Sequence, residues 1–349
     1  MKLLKWCLIQ IILMHAVNTI AQNPTAQQAK TQNATVQNPI VHDPVMIKQD
    51  SVYYIFCTGW GISCLSSTDM INWKREKQVF EKAPEWAVKA IPGYAGHTWA
   101  PDISYHNGEY YLFYSVSAFG KNTSCIGLAT NKTLHPNDPD FKWVDHGKII
   151  QSVPGVTNWN AIDPNLITDD KDTPYLVFGS FWDGIKMVKL NQDRLSIADS
   201  IDKIPTVASR KKDTSDKNPP AVEGNPVDAG GNAIEAPFIF KKDKYYYLFA
   251  SIDYCCRGIN SNYKMIIGRS ADVKGPYLDK DAMSMAKGGG SLVLAGNSKW
   301  PGVGHCGVYN FNGKDYLIFH AYDASDKGKP KLMIREITWD KDGWPVVTL

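Results

Sequence analysis

The sequence predicts an all-β fold, a five-bladed β-propeller. Internal repetition is the first reason. A corner built around a proline, a carboxylate or both is followed by a polar turn and an aromatic strand. His42-Asp43-Pro44 precedes Tyr53–Phe56, and Trp99-Ala100-Pro101-Asp102 precedes Tyr110–Tyr114. Asn160-Ala161-Ile162-Asp163-Pro164-Asn165 precedes Tyr175–Ser180, and Glu235-Ala236-Pro237 precedes Tyr245–Phe249. A looser fifth copy, His305-Cys306-Gly307-Val308, precedes Tyr316–His320. Pro44, Pro101 and Pro237 each stand ten residues before a tyrosine. Composition is the second reason. Eleven Trp, 17 Tyr, 27 Gly and 20 Pro describe an aromatic, turn-rich β protein, and no amphipathic helix of useful length is visible.

The elements follow in chain order. Residues 1–21 read as a secretory signal: Lys2 and Lys5 form a basic end, Cys7 to Met14 is mostly apolar, and Thr19-Ile20-Ala21 offers a small-residue cleavage site. The apolar run is too short to stay in a bilayer as a spanning helix. The protein is therefore expected to be exported, periplasmic or extracellular. Losing Lys2 and Lys5 takes the formal charge from +3 to +1, which leaves no electrostatic footprint for nucleic acid. Residues 22–39, rich in Gln, Asn, Thr and Ala, read as a disordered leader, and 40–349 as the propeller.

Within the propeller the repeats recur every 57 to 73 residues, room for about four short strands each. Third strands are expected at 61–66, 125–129, 185–190, 264–268 and 331–336. Asp69–Trp73 and Trp339–Trp344 read as turns into outer strands. The polar excursion Ser200–Asn232 is expected to carry outer-strand material of the third unit across the surface.

In a propeller the inner strands line a central channel, so equivalent starts of those strands converge at one mouth. The repeats put Asp43, Asp163, Glu235 and His305 at or near that point. Three acids and a histidine would share one small pocket. Clustered carboxylates repel, so one proton affinity rises while another stays low, as acid–base catalysis requires. A single Asp-Pro is usually a turn or a cap, but acids at the same place in three of five repeats are harder to explain that way. Asp102 follows its proline, so it reads as structural. Trp99, Phe119, Phe181 and Trp182 fall beside the corners or strand ends, where they suit stacking on sugar rings as well as ordinary packing.

This ordered set, with Gly179-Ser180-Phe181-Trp182-Asp183-Gly184 and Gly304-His305, resembles the family 43 glycoside hydrolases, with the closest likeness to endo-α-1,5-L-arabinanases. The likeness runs from about residue 40 to the C-terminus. It implies a five-bladed propeller that hydrolyses arabinan with inversion. It further implies Asp43 as general base, Glu235 as general acid and Asp163 as the carboxylate that raises and orients the acid. It implies Trp99, Phe119, Asn160 and Ser180 as lining of the substrate cleft, and a calcium ion near the channel axis approached by His305. The substrate partner is then a polysaccharide, and the protein is expected to act as a monomer. An exo-acting arabinanase, an α-L-arabinofuranosidase or a β-xylosidase on the same fold is the alternative. A non-catalytic sugar-binding propeller would keep the aromatics without needing three acids. A protein-interaction propeller would instead show apolar or charged patches on the blade faces.

Six cysteines remain after residue 21, too few for a disulfide scaffold and without the spacing of a zinc site. Cys57 and Cys64 flank Thr58–Gly61 and can face each other across a hairpin. Adjacent Cys255 and Cys256 can form a vicinal disulfide. Buried thiols are the other reading for each.

Overall fold

The structure is a computed structural model, and it describes residues 35–210 and 231–349. The expected secretory signal and most of the leader lie outside the described residues. Among those described, no helix is long and apolar enough to cross a membrane.

The chain opens with β1 (Thr35–Val36), β2 (Val45–Gln49), β3 (Val52–Cys57), β4 (Gly59–Trp60), β5 (Ser63–Ser67) and β6 (Trp73–Arg75). All but β4 form blade 1, in the order β1-β6-β5-β3-β2. Thr35 and Val36 pair with Lys74 and Trp73, so a strand lies inside the segment 22–39 expected to be a disordered leader. A Thr-Val pair next to an open strand edge gains ladder hydrogen bonds that a loose leader would lack.

A short helix, α1 (Glu85–Ala90), leads to blade 2, made of β7 (His97–His106), β8 (Glu109–Val116), β9 (Ser124–Asn131) and β10 (Val144–Ser152). Here β4 adds to the inner edge, with Trp60 opposite His97. Blade 3 holds β11 (Asn165–Thr168), β12 (Pro174–Phe178), β13 (Ile185–Lys189) and β14 (Thr206–Ala208). Its outer strand β14 falls within the Ser200–Asn232 excursion, where it was expected. Blade 4 holds β15 (Ile234–Lys242), β16 (Tyr245–Ile252), β17 (Lys264–Ser270) and β18 (Ser291–Ala295). Blade 5 holds β19 (Val303–Phe311), β20 (Lys314–Asp323), β21 (Lys329–Trp339) and β22 (Pro345–Val346). Five antiparallel sheets, one per repeat, make the expected five-bladed propeller.

Five apolar clusters glue the blades, one at each joint. Phe56 and Ile62 meet Leu112 and Tyr114 between blades 1 and 2. Phe113 and Leu128 meet Leu176 and Phe178 between blades 2 and 3. Val177 and Met187 meet Leu248 and Tyr277 between blades 3 and 4. Phe249 and Ile267 meet Leu317 and Phe319 between blades 4 and 5. Ile318 and Leu332 meet Met46 and Ile55 between blades 5 and 1. Second strands such as Tyr110–Tyr114 are apolar throughout because neighbouring blades cover both their faces. Ring closure uses backbone too: Leu332 N donates to Pro39 O, and Val41 N to Pro330 O.

The corners that begin the inner strands share one conformation. Asp43, Ala100, Asp163, Ala236 and His305 have φ of 53°, 40°, 57°, 53° and 53°. A side-chain-bearing residue in this left-handed region costs roughly 1–2 kcal/mol, so something must hold each one. Hydrogen bonds to the preceding blade do so at four corners. The N–H groups of Ala100, Asp163, His305 and Asp43 donate to Thr58 Oγ1, Ser115 Oγ, Ser251 Oγ and His320 Nδ1, at 2.9, 2.9, 2.9 and 3.2 Å. At the fifth, Ala236 N donates to Asp163 Oδ2 at 3.1 Å.

Two cysteine readings resolve. Cys255 and Cys256 are disulfide-bonded. Cys57 and Cys64 are buried free thiols, because Cys57 pairs with Ser63 and Cys64 with Phe56 in the hairpin register.

Candidate active site

The corner geometry brings Asp43, Asp163, Glu235 and His305 together at the mouth of the channel. Asp43, Asp163 and His305 are the left-handed residues themselves, and Glu235 stands one residue ahead of its own. Each side chain comes from a different blade.

Asp43 is held on every side. Its Oδ1 lies 2.8 Å from His42 Nδ1 and 3.0 Å from His305 Nδ1, and its Oδ2 accepts from Thr58 Oγ1 at 2.6 Å. Burial pushes this carboxyl up, but the His42 and His305 imidazoles overrule burial and hold it well below the usual carboxylate range. His305 responds in the opposite sense. Burial pulls it down, and the charges of Asp43, Asp163 and Glu235 raise it to about 9. An imidazolium–carboxylate pair therefore sits across the joint between blades 5 and 1.

Glu235 accepts from Ser180 Oγ at 2.7 Å and from Tyr263 OH at 2.8 Å. Burial raises its proton affinity, against those two hydrogen bonds and His305. Asp163 is raised too, first by burial and then by Glu235 and Asp43, with His305 opposing. Burial thus raises the proton affinity of both carboxyls, and the charge of Glu235 adds to the rise at Asp163. One carboxylate held low faces two carboxyls whose proton affinity is raised.

The remaining expected residues spread around the mouth. Phe119, in the loop after β8, is 80% exposed. Trp99, at the start of β7, is partly exposed and donates from Nε1 to His97 Nδ1 at 2.9 Å. Asn160 is buried, and its Oδ1 lacks a hydrogen-bond partner. Ser180, expected along the substrate cleft, spends its hydroxyl on Glu235. Phe181 packs against buried Trp182 and sits 6.0 Å from the Tyr254 ring. Asp102 is structural, as read from its position after the proline. It is buried and accepts from Leu166 N at 2.7 Å and Asn165 Nδ2 at 3.1 Å, tying blade 2 to blade 3.

Several residues here escaped the sequence reading. Trp60, 60% exposed on β4, packs edge-on against His97. Tyr263 and Thr58 hold two of the acids, and His320 stacks on His42 with ring centroids 4.0 Å apart.

A calcium beside His305 can be judged from the donors. Calcium takes six to eight oxygen ligands. Around His305 stand the carboxyls of Asp43 and Glu235, each already bonded on both oxygens, Asp163 with its Oδ2 taken by Ala236 N, and the imidazoles of His42 and His320. The buried atom left without a partner there is His320 Nε2, a nitrogen. This set does not fit a calcium held directly by side chains.

A channel mouth with one carboxylate held low, two carboxyls of raised proton affinity, and exposed rings nearby is the equipment of an acid–base glycoside hydrolase. The chain belongs to the glycosyl hydrolases of family 43, whose family model matches residues 35–345. It is 47% identical over 303 residues to an extracellular exo-alpha-(1->5)-L-arabinofuranosidase of Cellvibrio japonicus, covering 87% of this chain and 85% of the relative. It is 41% identical over 304 residues to an extracellular endo-alpha-(1->5)-L-arabinanase of Bacillus subtilis, covering 86% and 85%. The crystal structure of an exo-1,5-alpha-L-arabinanase from a bovine ruminal metagenomic library superposes with a TM-score of 0.83 at 49% identity, covering 90% of this chain and 98% of that one.

Proposed function

We propose that the protein is an exported arabinanase that hydrolyses α-1,5-L-arabinofuranosyl bonds of arabinan with inversion. The observation that carries this reading is the split between Asp43, held low by two imidazoles, and Asp163 and Glu235, whose proton affinity is raised. Asp43 acts as the general base. Its Oδ2 accepts from Thr58 alone among the described side chains, which leaves a lone pair for a water. As the water oxygen attacks the anomeric carbon, Asp43 takes its proton. Glu235 gives its proton to the departing sugar oxygen as the glycosidic bond breaks. Asp163 acts through Glu235, by repulsion that keeps the acid protonated. Acids on separate blades can leave about 6.5–9.5 Å for the water, as inversion requires.

Trp99, Phe119 and Asn160 serve the substrate in this reading, and Ser180 serves it through Glu235. Both named relatives are described as extracellular, which supports export. The calcium expected near His305 enters only as an ion held through water, and no step depends on it. The enzyme acts as a monomer on its polysaccharide.

Internal cleavage is the first reading of the mode of attack. Trp60, Trp99, Phe119, Phe181 and Tyr254 come from three successive blades around the mouth, so sugars can be held on both sides of the scissile bond. Exo attack is the second reading, because the relatives at 47% and 49% identity carry exo names. Early products from long linear arabinan decide between them. A ladder of short oligosaccharides with a fast fall in viscosity supports internal cleavage. A single short product with viscosity almost unchanged overturns it in favour of exo attack.

A further inference from the structure

The Cys255–Cys256 disulfide lies on the loop between β16 and β17, at the channel mouth. Its polar neighbours belong to other blades. Cys256 N donates to the Tyr322 hydroxyl at 2.7 Å, and Cys256 Sγ lies 3.8 Å from His42 Nε2. The same Tyr322 hydroxyl is 2.7 Å from His42 Nε2. With one lone pair taken by the Cys256 N–H, the phenol is set to give its own proton to Nε2. His42 then carries its proton on Nδ1, 2.8 Å from Asp43 Oδ1. Stacking on buried His320 keeps the His42 ring from turning. A continuous chain of contacts runs from the backbone of blade 4, through Tyr322 of blade 5, to Asp43 on blade 1.

Cys256 has a φ of 65°, a conformation that disfavours a residue with a Cβ. Bonding two adjacent cysteines closes a small ring and restricts the turn that contains this conformation. The turn in turn aims the Cys256 N–H at Tyr322.

We propose that Tyr322 and His42 are positioning residues for Asp43, and that the Cys255–Cys256 turn holds them in place. The proposal rests on the reading of Asp43 as the general base. A base must face its water squarely, and a small misplacement of a reacting group is expensive in rate. Neither His42 nor Tyr322 needs to touch the sugar for this.

The test is steady-state kinetics on linear arabinan, with Tm, for Tyr322→Phe, His42→Ala and the paired Cys255→Ser/Cys256→Ser variant. Tyr322→Phe and the cysteine variant should each lower kcat on the order of ten-fold, with KM and Tm little changed. Neither change should lower kcat further when added to His42→Ala, because the chain is already cut there. Dithiothreitol on the wild-type enzyme provides the same test without a substitution. It reduces the disulfide to two thiols and is itself oxidised to its cyclic disulfide. The other four cysteines among the described residues are buried free thiols, so the reagent acts here. Reduction should reproduce the kcat loss, and reoxidation should restore it.

Wild-type kcat in Tyr322→Phe or in the reduced enzyme overturns the proposal. So do losses that multiply in full on the His42→Ala background, and so does a rise in KM with kcat intact. Asp43→Asn separates this from the underlying reading. If Asp43→Asn turns over normally, the base assignment itself has failed. If it is inactive while Tyr322→Phe is unaffected, only the positioning proposal has failed.

Discussion

His305 Nδ1 lies 3.0 Å from Asp43 Oδ1, across the joint where the last blade meets the first. The contact closes the ring and sets the charge of the proposed base. It couples the integrity of the propeller to the chemistry at its mouth.

That coupling makes stability depend on pH. The folded protein holds the His305 proton to about pH 9, against about 6.5 for an ordinary histidine. The stabilisation from this raised affinity is complete below about pH 6.5 and is lost as pH rises through about 9. Tm of the wild type should fall across that window. His305→Gln should be less stable at pH 6 and should lose much of this slope. Equal slopes in the two proteins would remove His305 from the account.

Glu235→Gln keeps a hydrogen-bonding side chain but cannot deliver a proton. It should lower kcat about 10²–10⁴-fold with Tm nearly unchanged. An aryl arabino-oligosaccharide whose nitrophenolate leaves without protonation should recover part of the lost rate in the variant. Wild-type turnover on ordinary arabinan would show that Glu235 is not the acid.

Asp163→Asn removes a negative charge beside Glu235. The acid then gives up its proton more readily, so the basic limb of the kcat/KM profile should move to lower pH. Tyr263→Phe removes a hydrogen bond that favours ionised Glu235, so the same limb should move to higher pH. Opposite shifts are the signature of two neighbours acting on one acid. Shifts in the same direction would contradict the assignment.

The propeller and the clustering of acids were legible in the sequence because both follow from repetition. A repeat that cannot cover its own faces must stack on copies of itself, and stacking carries its corners to one mouth. The left-handed backbone at those corners was less legible, since Asp43, Ala100, Asp163, Ala236 and His305 share no side-chain type. The residues that hold four of them did leave a trace. Thr58, Ser115, Ser251 and His320 each follow a tyrosine by four positions, namely Tyr54, Tyr111, Tyr247 and Tyr316. Ser180 was read as a substrate contact because its role depends on Glu235, 55 residues away in the chain. Tyr263 stands just before the third strand of blade 4, the blade of Glu235, and is 28 residues away from it in the chain. Tyr322 lies on the second strand of blade 5, and only the closed ring brings it to His42 on blade 1. The strand at Thr35–Val36 was hidden by composition, because edge pairing depends on the vacant edge of β6 rather than on apolar pattern.

Stereochemistry of the first product is the most direct measurement of the central claim that separated acids hydrolyse arabinan by single displacement. Proton NMR in the first minutes of reaction on linear α-1,5-arabinan reads the anomer before mutarotation scrambles it. The account predicts a β-configured new reducing end, the inverse of the bond cleaved. An α-configured first product would contradict it, because retention calls for carboxyls about 5–5.5 Å apart and a covalent intermediate.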